Sequence, residues 1–216
     1  MSGSPSAYRM LSTSGLLGYG FPESSLERGL ARGVDMIGVD GGSTDPGPFY
    51  LGSGKMLSSK RAMARDLGLM VRAAAKHKVP LVIGTCGGAG GAPHLEQTAD
   101  IVRTIAREAG LKLRLATIEA EQDKADLHKA HAEGRMAGLT AGPDTDPARI
   151  DRSERVVAMM GPEPFAAALD NGADIVLAGR SSDPAPWAAM AIRGGQPPAQ
   201  AWYSGKMLEC GATAAW

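Results

Sequence analysis

Apolar residues recur along this chain with two periods. Short runs of strand length alternate with longer segments in which apolar positions return every three or four residues. The short runs predict strands over 34–39, 79–83, 111–118 and 174–177, with a weaker one within 7–17. In 111–118, Leu111, Leu113 and Leu115 alternate with Lys112 and Arg114, the pattern of an edge or half-exposed strand. The longer period predicts helices over 23–32, 60–77, 95–109, 122–133, 152–160 and 162–170. Met63, Leu67, Met70 or Val71, and Ala74 define one buried stripe; Leu95, Ala99, Val102, Ile105 or Ala106, and Ala109 define another. Pro93 suits a first helical turn and Gly110 a stop. Residues 138–147, with Pro143 and Pro147, read as a loop.

Strands alternating with helices imply right-handed crossovers and a mainly parallel sheet. The expectation is a three-layer α/β fold with helices on both faces, Rossmann-like, forming one domain over 1–216. Four or five strands are too few for an eight-stranded barrel. The stretch 205–216 reads as the opening of a helix with no terminating signal. The chain is therefore expected to be the amino-terminal part of a longer protein, or to be completed by a partner.

Three of the strands break directly into glycine-rich loops that carry reactive side chains. They are Val39-Asp40-Gly41-Gly42-Ser43-Thr44-Asp45, Gly84-Thr85-Cys86-Gly87-Gly88-Ala89-Gly90-Gly91 and Ala178-Gly179-Arg180-Ser181-Ser182-Asp183. Open parallel sheets bind ligands at the carboxyl ends of their strands, so these loops are the candidate small-molecule site. Asp40, Ser43, Thr44 and Asp45 could bind a polyol or metal or supply a general base; equally, Asp45 before Pro46 could cap a turn. Gly87, Gly88, Gly90 and Gly91 precede a helix and could cradle an anion on backbone N–H groups, or simply permit tight packing. Arg180 is suited to clamping a carboxylate or phosphate, or to an ion pair with Asp183 that shapes the loop.

Composition narrows the function classes. Formal net charge over 216 residues is zero, so no general field draws the chain to nucleic acid or anionic membrane. Aromatic residues make up 5%, which weakens any base-stacking surface. No apolar run is long enough to span a bilayer, and the first residues lack a secretory pattern, so a cytoplasmic protein is expected. Two cysteines are too few for a disulfide framework. Cys86 reads as a small buried thiol; a nucleophile there would need His77 or His94 as its base. His128 and His131 read as a solvated helix face, and Glu119, Glu121, Asp123 and Lys124 are secondary acid–base candidates.

No cofactor is expected. A dinucleotide fingerprint anchored on Gly88 needs glycine where Pro93 stands. A phosphate-binding P-loop ending at Gly54-Lys55 would have Phe49 as its first glycine and Met56 in place of its Ser or Thr. Lys55-Met56 and Lys206-Met207 reverse the Met-Lys order of a biotinylation site.

The segment 33–48, the Gly84-Thr85-Cys86-Gly87-Gly88 junction and, most specifically, Ala168-Leu169 through Gly172-Ala173-Asp174-Ile175-Val176 to Ala178-Gly179-Arg180 and Asp183 resemble the acyclic terpene utilization (AtuA-like) family. The resemblance runs from about Gly15 to Ala212. It implies a longer family architecture and a place in bacterial catabolism of acyclic terpenoids, but no established catalytic residue. The expected activity is lyase- or hydratase-type acid–base chemistry on a carboxylate or acyl-CoA thioester. In it Asp40, Asp45 or Asp183 would move protons, while Ser43, Thr44, Arg180 and the 87–91 glycines would bind substrate. The partner is a small molecule, in a homo-oligomer or with a second subunit; no metal is expected. Two alternatives are a non-catalytic ligand-binding subunit or half-enzyme, and a metal-dependent hydrolase using Asp40, Asp45 and His94.

Overall fold

The computed structural model describes residues 7–211. Its elements run β1 (Met10–Ser12), α1 (Glu23–Ala31), β2 (Met36–Gly42), α2 (Phe49–Ser53), α3 (Lys60–His77), β3 (Leu81–Gly88) and α4 (Ala92–Glu108). There follow β4 (Leu115–Ile118), α5 (Lys124–Ala132), α6 (Pro147–Arg152), α7 (Glu163–Asp170), β5 (Ile175–Ala178), α8 (Ala185–Arg193) and α9 (Pro198–Glu209). The five strands pair in the order β1-β2-β3-β5-β4, every pair parallel.

That order and the right-handedness of crossovers together place the helices. Steps from β1 to β2, β3 and the β4 edge all cross the sheet in one direction, so α1, α3 and α4 share a face. The step back from β4 to β5 crosses in the other direction, which puts α7 on the opposite face. Helix α8 packs on that second face, and α9 packs on α8. Side chains sort accordingly with the two-residue period of a strand. Ile37, Val39, Leu81, Ile83, Ile175 and Leu177 pack on Leu67, Met70, Leu95 and Val102. Their neighbours Met36, Val82, Val176 and Ala178 pack on Phe165, Leu169, Trp187 and Met190. All residues of β2, β3 and β5 are buried, as expected for a sheet covered on both sides. The fold is therefore the three-layer α/β arrangement expected from the sequence.

Several boundaries differ from the pattern. The helix expected over 152–160 starts earlier, at Pro147, because Asp146 accepts the Ala148 N–H and Pro147 suits the first turn. It stops at Ser153. Residues beyond it run extended and bridge to the site loops at Glu121–Val157 and Met160–Ser181. Only Leu115–Ile118 of the expected 111–118 strand pairs with the sheet. The helix expected to open at Gly205 begins at Pro198, with Gly205 buried in it; its continuation past residue 211 lies outside the described residues. Helices α2 and α8 are not marked by the periodicity, since α8 is apolar nearly all round and α2 spans little more than one turn.

Strands β2 and β3 break register where they leave the core. Asp40 pairs with Gly84 but Gly42 with Gly88, so β3 carries two more residues than β2 over this stretch. Such bulges bend strands and re-aim side chains. Glycine is required on the β2 side: a Cβ at Gly41 would lie 2.5 Å from the Gly84 carbonyl oxygen, and one at Gly42 would collide with the Gly88 carbonyl group. Gly42→Ala is therefore expected to destabilise the protein by about 2 kcal/mol or more. Gly52→Ala, in α2 with open space around it, should be neutral or stabilising by up to about 1 kcal/mol. Urea unfolding midpoints of the two variants check this; equal midpoints would contradict the packing argument.

Candidate functional site

The loops after β1, β2 and β5 and the end of α9 enclose a cleft of about 610 Å³ at the carboxyl edge of the sheet. Its walls include Tyr19, Asp40, Ser43, Thr44, Asp45 and Asp183, with Lys206, Glu209 and Cys210 from α9 and the residue after it. Asp40, the fifth residue of β2, is buried at 2% exposure. Its Oδ1 accepts the Gly42 N–H at 3.3 Å. Carboxylate oxygens of Asp40, Asp183 and Glu209 all lie within 4.8 Å of one another.

Three acids this close cannot all ionise without compensation. Burial, followed by the charge of Asp183, holds the Asp40 carboxyl well above the usual range; the Gly42 N–H and Arg180 oppose this only partly. Asp183 is also raised, by burial first and then by Glu209, against the pull of Arg180 and Lys206. Glu209, 3% exposed, is tied to Lys206 Nζ by a short ion pair and accepts the Cys210 thiol at 3.0 Å. Those contacts raise Lys206, and the Glu209 carboxylate is the first cause of Cys210 rising to about 11. Burial and mutual charge thus push Asp40 and Asp183 toward their protonated forms. Three carboxylates are also hard oxygen donors, suited to Mg²⁺ or Ca²⁺ rather than zinc.

A second, more apolar cleft of about 530 Å³ adjoins the first across Ser43 and Thr44. Pro48, Leu51, Ala89, Val157 and Met159 line it, together with Arg180. Arg180 is 8% exposed and stands between the clefts. Its Nη2 lies 3.4 Å from Asp183 Oδ1, close enough for charge attraction but outside hydrogen-bond alignment, so that oxygen has no hydrogen-bond partner among the described residues. Nη1 reaches the Thr85 hydroxyl at 3.4 Å.

The expected site residues fall into two groups. Asp40, Ser43, Thr44, Asp45, Asp183 and Arg180 are brought together on these clefts; Asp45 is exposed at the rim, where the Ser43 hydroxyl accepts its N–H. Gly87, Gly88, Gly90 and Gly91 line neither cleft. They pack against Met56 and His94, Leu57, the Arg180 backbone and Leu51 respectively. The Ala92 N–H at the start of α4 is taken by the protein's own Glu121 carboxylate at 2.7 Å. Cys86 is wholly buried, its thiol raised to about 12 by desolvation. His94 is buried with Nε2 on the Lys55 carbonyl oxygen. It is absent from the metal-capable cluster, as is Asp45. His128 and His131 face Asp151 and the Thr145 carbonyl oxygen separately.

Lys206, Glu209 and Cys210 line the candidate cleft although periodicity does not mark them. The one local signal is the one-turn spacing of Lys206 and Glu209, which is common on solvated helices. Their recruitment depends on α9 packing over α8, a contact that is not local in sequence.

Among the described residues, no helix is long and apolar enough to cross a membrane. A comparison with curated proteins finds no match. The family described as "Acyclic terpene utilisation family protein AtuA" matches residues 59–215. The matched span contains Arg180, Asp183, Lys206, Glu209 and the Ala89, Val157 and Met159 side of the apolar cleft, whereas Asp40, Ser43, Thr44 and Asp45 precede it. The chain belongs to the acyclic terpene utilisation (AtuA) family.

Proposed function

We propose that this chain is a cytoplasmic catabolic enzyme of acyclic terpene utilisation, performing lyase- or hydratase-type acid–base chemistry on a branched carboxylate or its acyl-CoA thioester. One observation carries the reading: a buried carboxyl, Asp40, is pushed toward its protonated form beside Asp183 and Glu209 in an open cleft. Carboxyls whose environments differ can divide the work of acid and base. In the hydration direction, Asp183 would take a proton from water as the water oxygen bonds to the β-carbon. Asp40 would give its proton to the α-carbon. In the cleavage direction, Asp183 would take the β-hydroxyl proton as the carbon–carbon bond breaks, and Asp40 would protonate the carbanion released. Negative charge developing on the acyl oxygen would face Arg180 or Lys206. The apolar cleft beyond Ser43 and Thr44 suits a branched hydrocarbon chain.

A second reading, a ligand-binding subunit completed by a partner, is favoured by apolar side chains exposed at the two clefts. Tyr19 is 69% exposed at the acidic cleft and Met159 64% at the apolar one. Turnover by the isolated chain would exclude this reading; turnover only after a partner is added would support it.

The acid role of Asp40 has a sign that can be checked. A carboxyl raised in the folded state contributes stability that is fully present below its unfolded value, about 3.9. That contribution is lost as pH rises through the folded value. Asp40→Asn removes the group, so its melting temperature relative to the parent protein is expected to climb from pH 4 upward. Turnover should fall by about a hundredfold or more. A variant that instead loses stability relative to the parent as pH rises would show that Asp40 is not held protonated.

Substrate placement is testable by thermal shift. A methyl-branched acyl-CoA at a hundred times its Kd should add about 2.7 kcal/mol of stability. Val157→Asp, in the apolar cleft, is expected to weaken that ligand tenfold or more while leaving acetyl-CoA unaffected. Absence of a shift with any thioester or free branched carboxylate would overturn the proposal.

A further inference from the structure

Thr85 occupies a backbone conformation that its own side chain disfavours. Its φ is +44°, and it lies fully buried within β3, at the register break opposite Gly41. Branching at Cβ makes the left-handed region costly, and glycine would remove the strain. Four of the next six residues are glycine, so the chain does place glycine freely here. A strained residue in a functional loop invites the question of what its side chain does.

The hydroxyl answers it. Thr85 Oγ1 donates to the Ser181 carbonyl oxygen at 3.2 Å and accepts the Ser181 N–H at 3.2 Å and Arg180 Nη1 at 3.4 Å. One donor and two acceptor positions are the full capacity of a hydroxyl, and all three go to the Arg180–Ser181 pair. The Thr85 N–H also donates to the Gly179 carbonyl oxygen at 3.0 Å. Around Arg180 the backbone is pinned as well: its N–H donates to the Gly90 carbonyl oxygen at 3.0 Å, and its own carbonyl oxygen accepts the Met160 N–H at 3.1 Å. Among the described residues, the guanidinium itself makes only two hydrogen bonds, to Thr85 and, more weakly, to Met159 Sδ at 3.9 Å. Without the Thr85 hydroxyl, the guanidinium's remaining polar contacts among the described residues would be that sulfur and the misaligned Asp183 attraction.

We infer that Thr85 is a positioning residue, retained against backbone strain because its hydroxyl aims the Arg180 guanidinium at the boundary between the acidic and apolar clefts. The value of that aim in turnover rests on the acid–base reading above; the placement of Arg180 does not.

The test follows Asp183, the acid that Arg180 faces, by ¹³C NMR titration of side-chain carboxyls in the full chain. Asp183 also faces Glu209, Lys206, Asp45 and Asp40, none of which the variants alter. Arg180 holds Asp183 down, so a loosened guanidinium should move the Asp183 midpoint upward. Thr85→Ala and Thr85→Gly are expected to give that upward shift, and Thr85→Ser, which restores the hydroxyl, the parent midpoint. Thr85→Gly removes the Cβ that makes φ +44° unfavourable, which keeps the test open if the alanine variant fails to fold. In an Arg180→Gln background, Thr85→Gly should add nothing further. A parental Asp183 midpoint in Thr85→Gly, or a shift that adds fully to Arg180→Gln, would overturn the inference and leave Thr85 a packing residue. An upward shift that does not add to Arg180→Gln, in a protein that binds no thioester, would uphold the positioning role while removing the proposed reaction.

Discussion

The close approach of β2 and β3 where they fall out of register is the constraint on which the site depends. Up to Asp40 and Gly84 the two strands pair regularly. Beyond that point backbone lies directly against backbone, with Gly41 against the Gly84 and Thr85 carbonyl groups and Gly42 against Gly88. Side chains are excluded from the seam, so the seam can bend. The bend leaves Asp40 beneath the cleft floor and turns Thr85 toward the loop after β5. Acid and arginine come from strands that are not adjacent in the sheet. What relates them is the backbone path of β3, which lies between β2 and β5.

Charge compensation around that seam is incomplete. Asp40, Asp183 and Glu209 bring three carboxyls together, while Lys206 and Arg180 bring two cations. Neither cation pairs with Asp40, which has the Gly42 N–H as its hydrogen-bond partner. The remaining imbalance, with burial, raises both Asp40 and Asp183 above the usual carboxylate range, Asp40 the more strongly. A core built only for stability would place an apolar residue at such a position. Burying an acid against its own solvation is the arrangement that gives a carboxyl a proton to donate at neutral pH.

Sequence carried the fold well because the fold follows local rules. Alternating apolar periods located the strands and most helices, and handedness then fixed the faces. The placement of Asp40, Arg180 and Asp183 at one edge of the sheet was legible because each sits just where an apolar run ends, and parallel strands bring such ends together. The packing of the glycines at 87–91 against Met56, His94, Leu57, the Arg180 backbone and Leu51 was not legible. A glycine-rich loop before a helix looks the same whether it receives an anion or a neighbouring backbone. Here Glu121, thirty residues on, takes the helix N–H group that an external anion would have used. Lys206, Glu209 and Cys210 were hidden for a related reason, since helix–helix packing between α8 and α9 brings them to the cleft.

The division of the site between the family-matched span and the residues before it follows from the same geometry. Arg180, Asp183, Lys206 and Glu209 lie within 59–215, and so does Thr85. Arg180, Asp183, Lys206 and Glu209 form a charged frame in which Glu209 is already buried, and the pairing of β2 with β3 adds a second buried acid. Asp40 then arrives at the third corner, desolvated by the sheet on which it sits. A frame of this kind can keep one electrostatic task, holding a carboxyl protonated beside a base, while the clefts around it change in shape. Ser43 and Thr44 stand at the boundary of both clefts, on the same loop as Asp45 and outside the matched span. On the acid–base reading proposed above, discrimination among chain lengths and branching patterns would fall to that loop and to the apolar wall of Leu51, Val157 and Met159, and proton transfer to the frame.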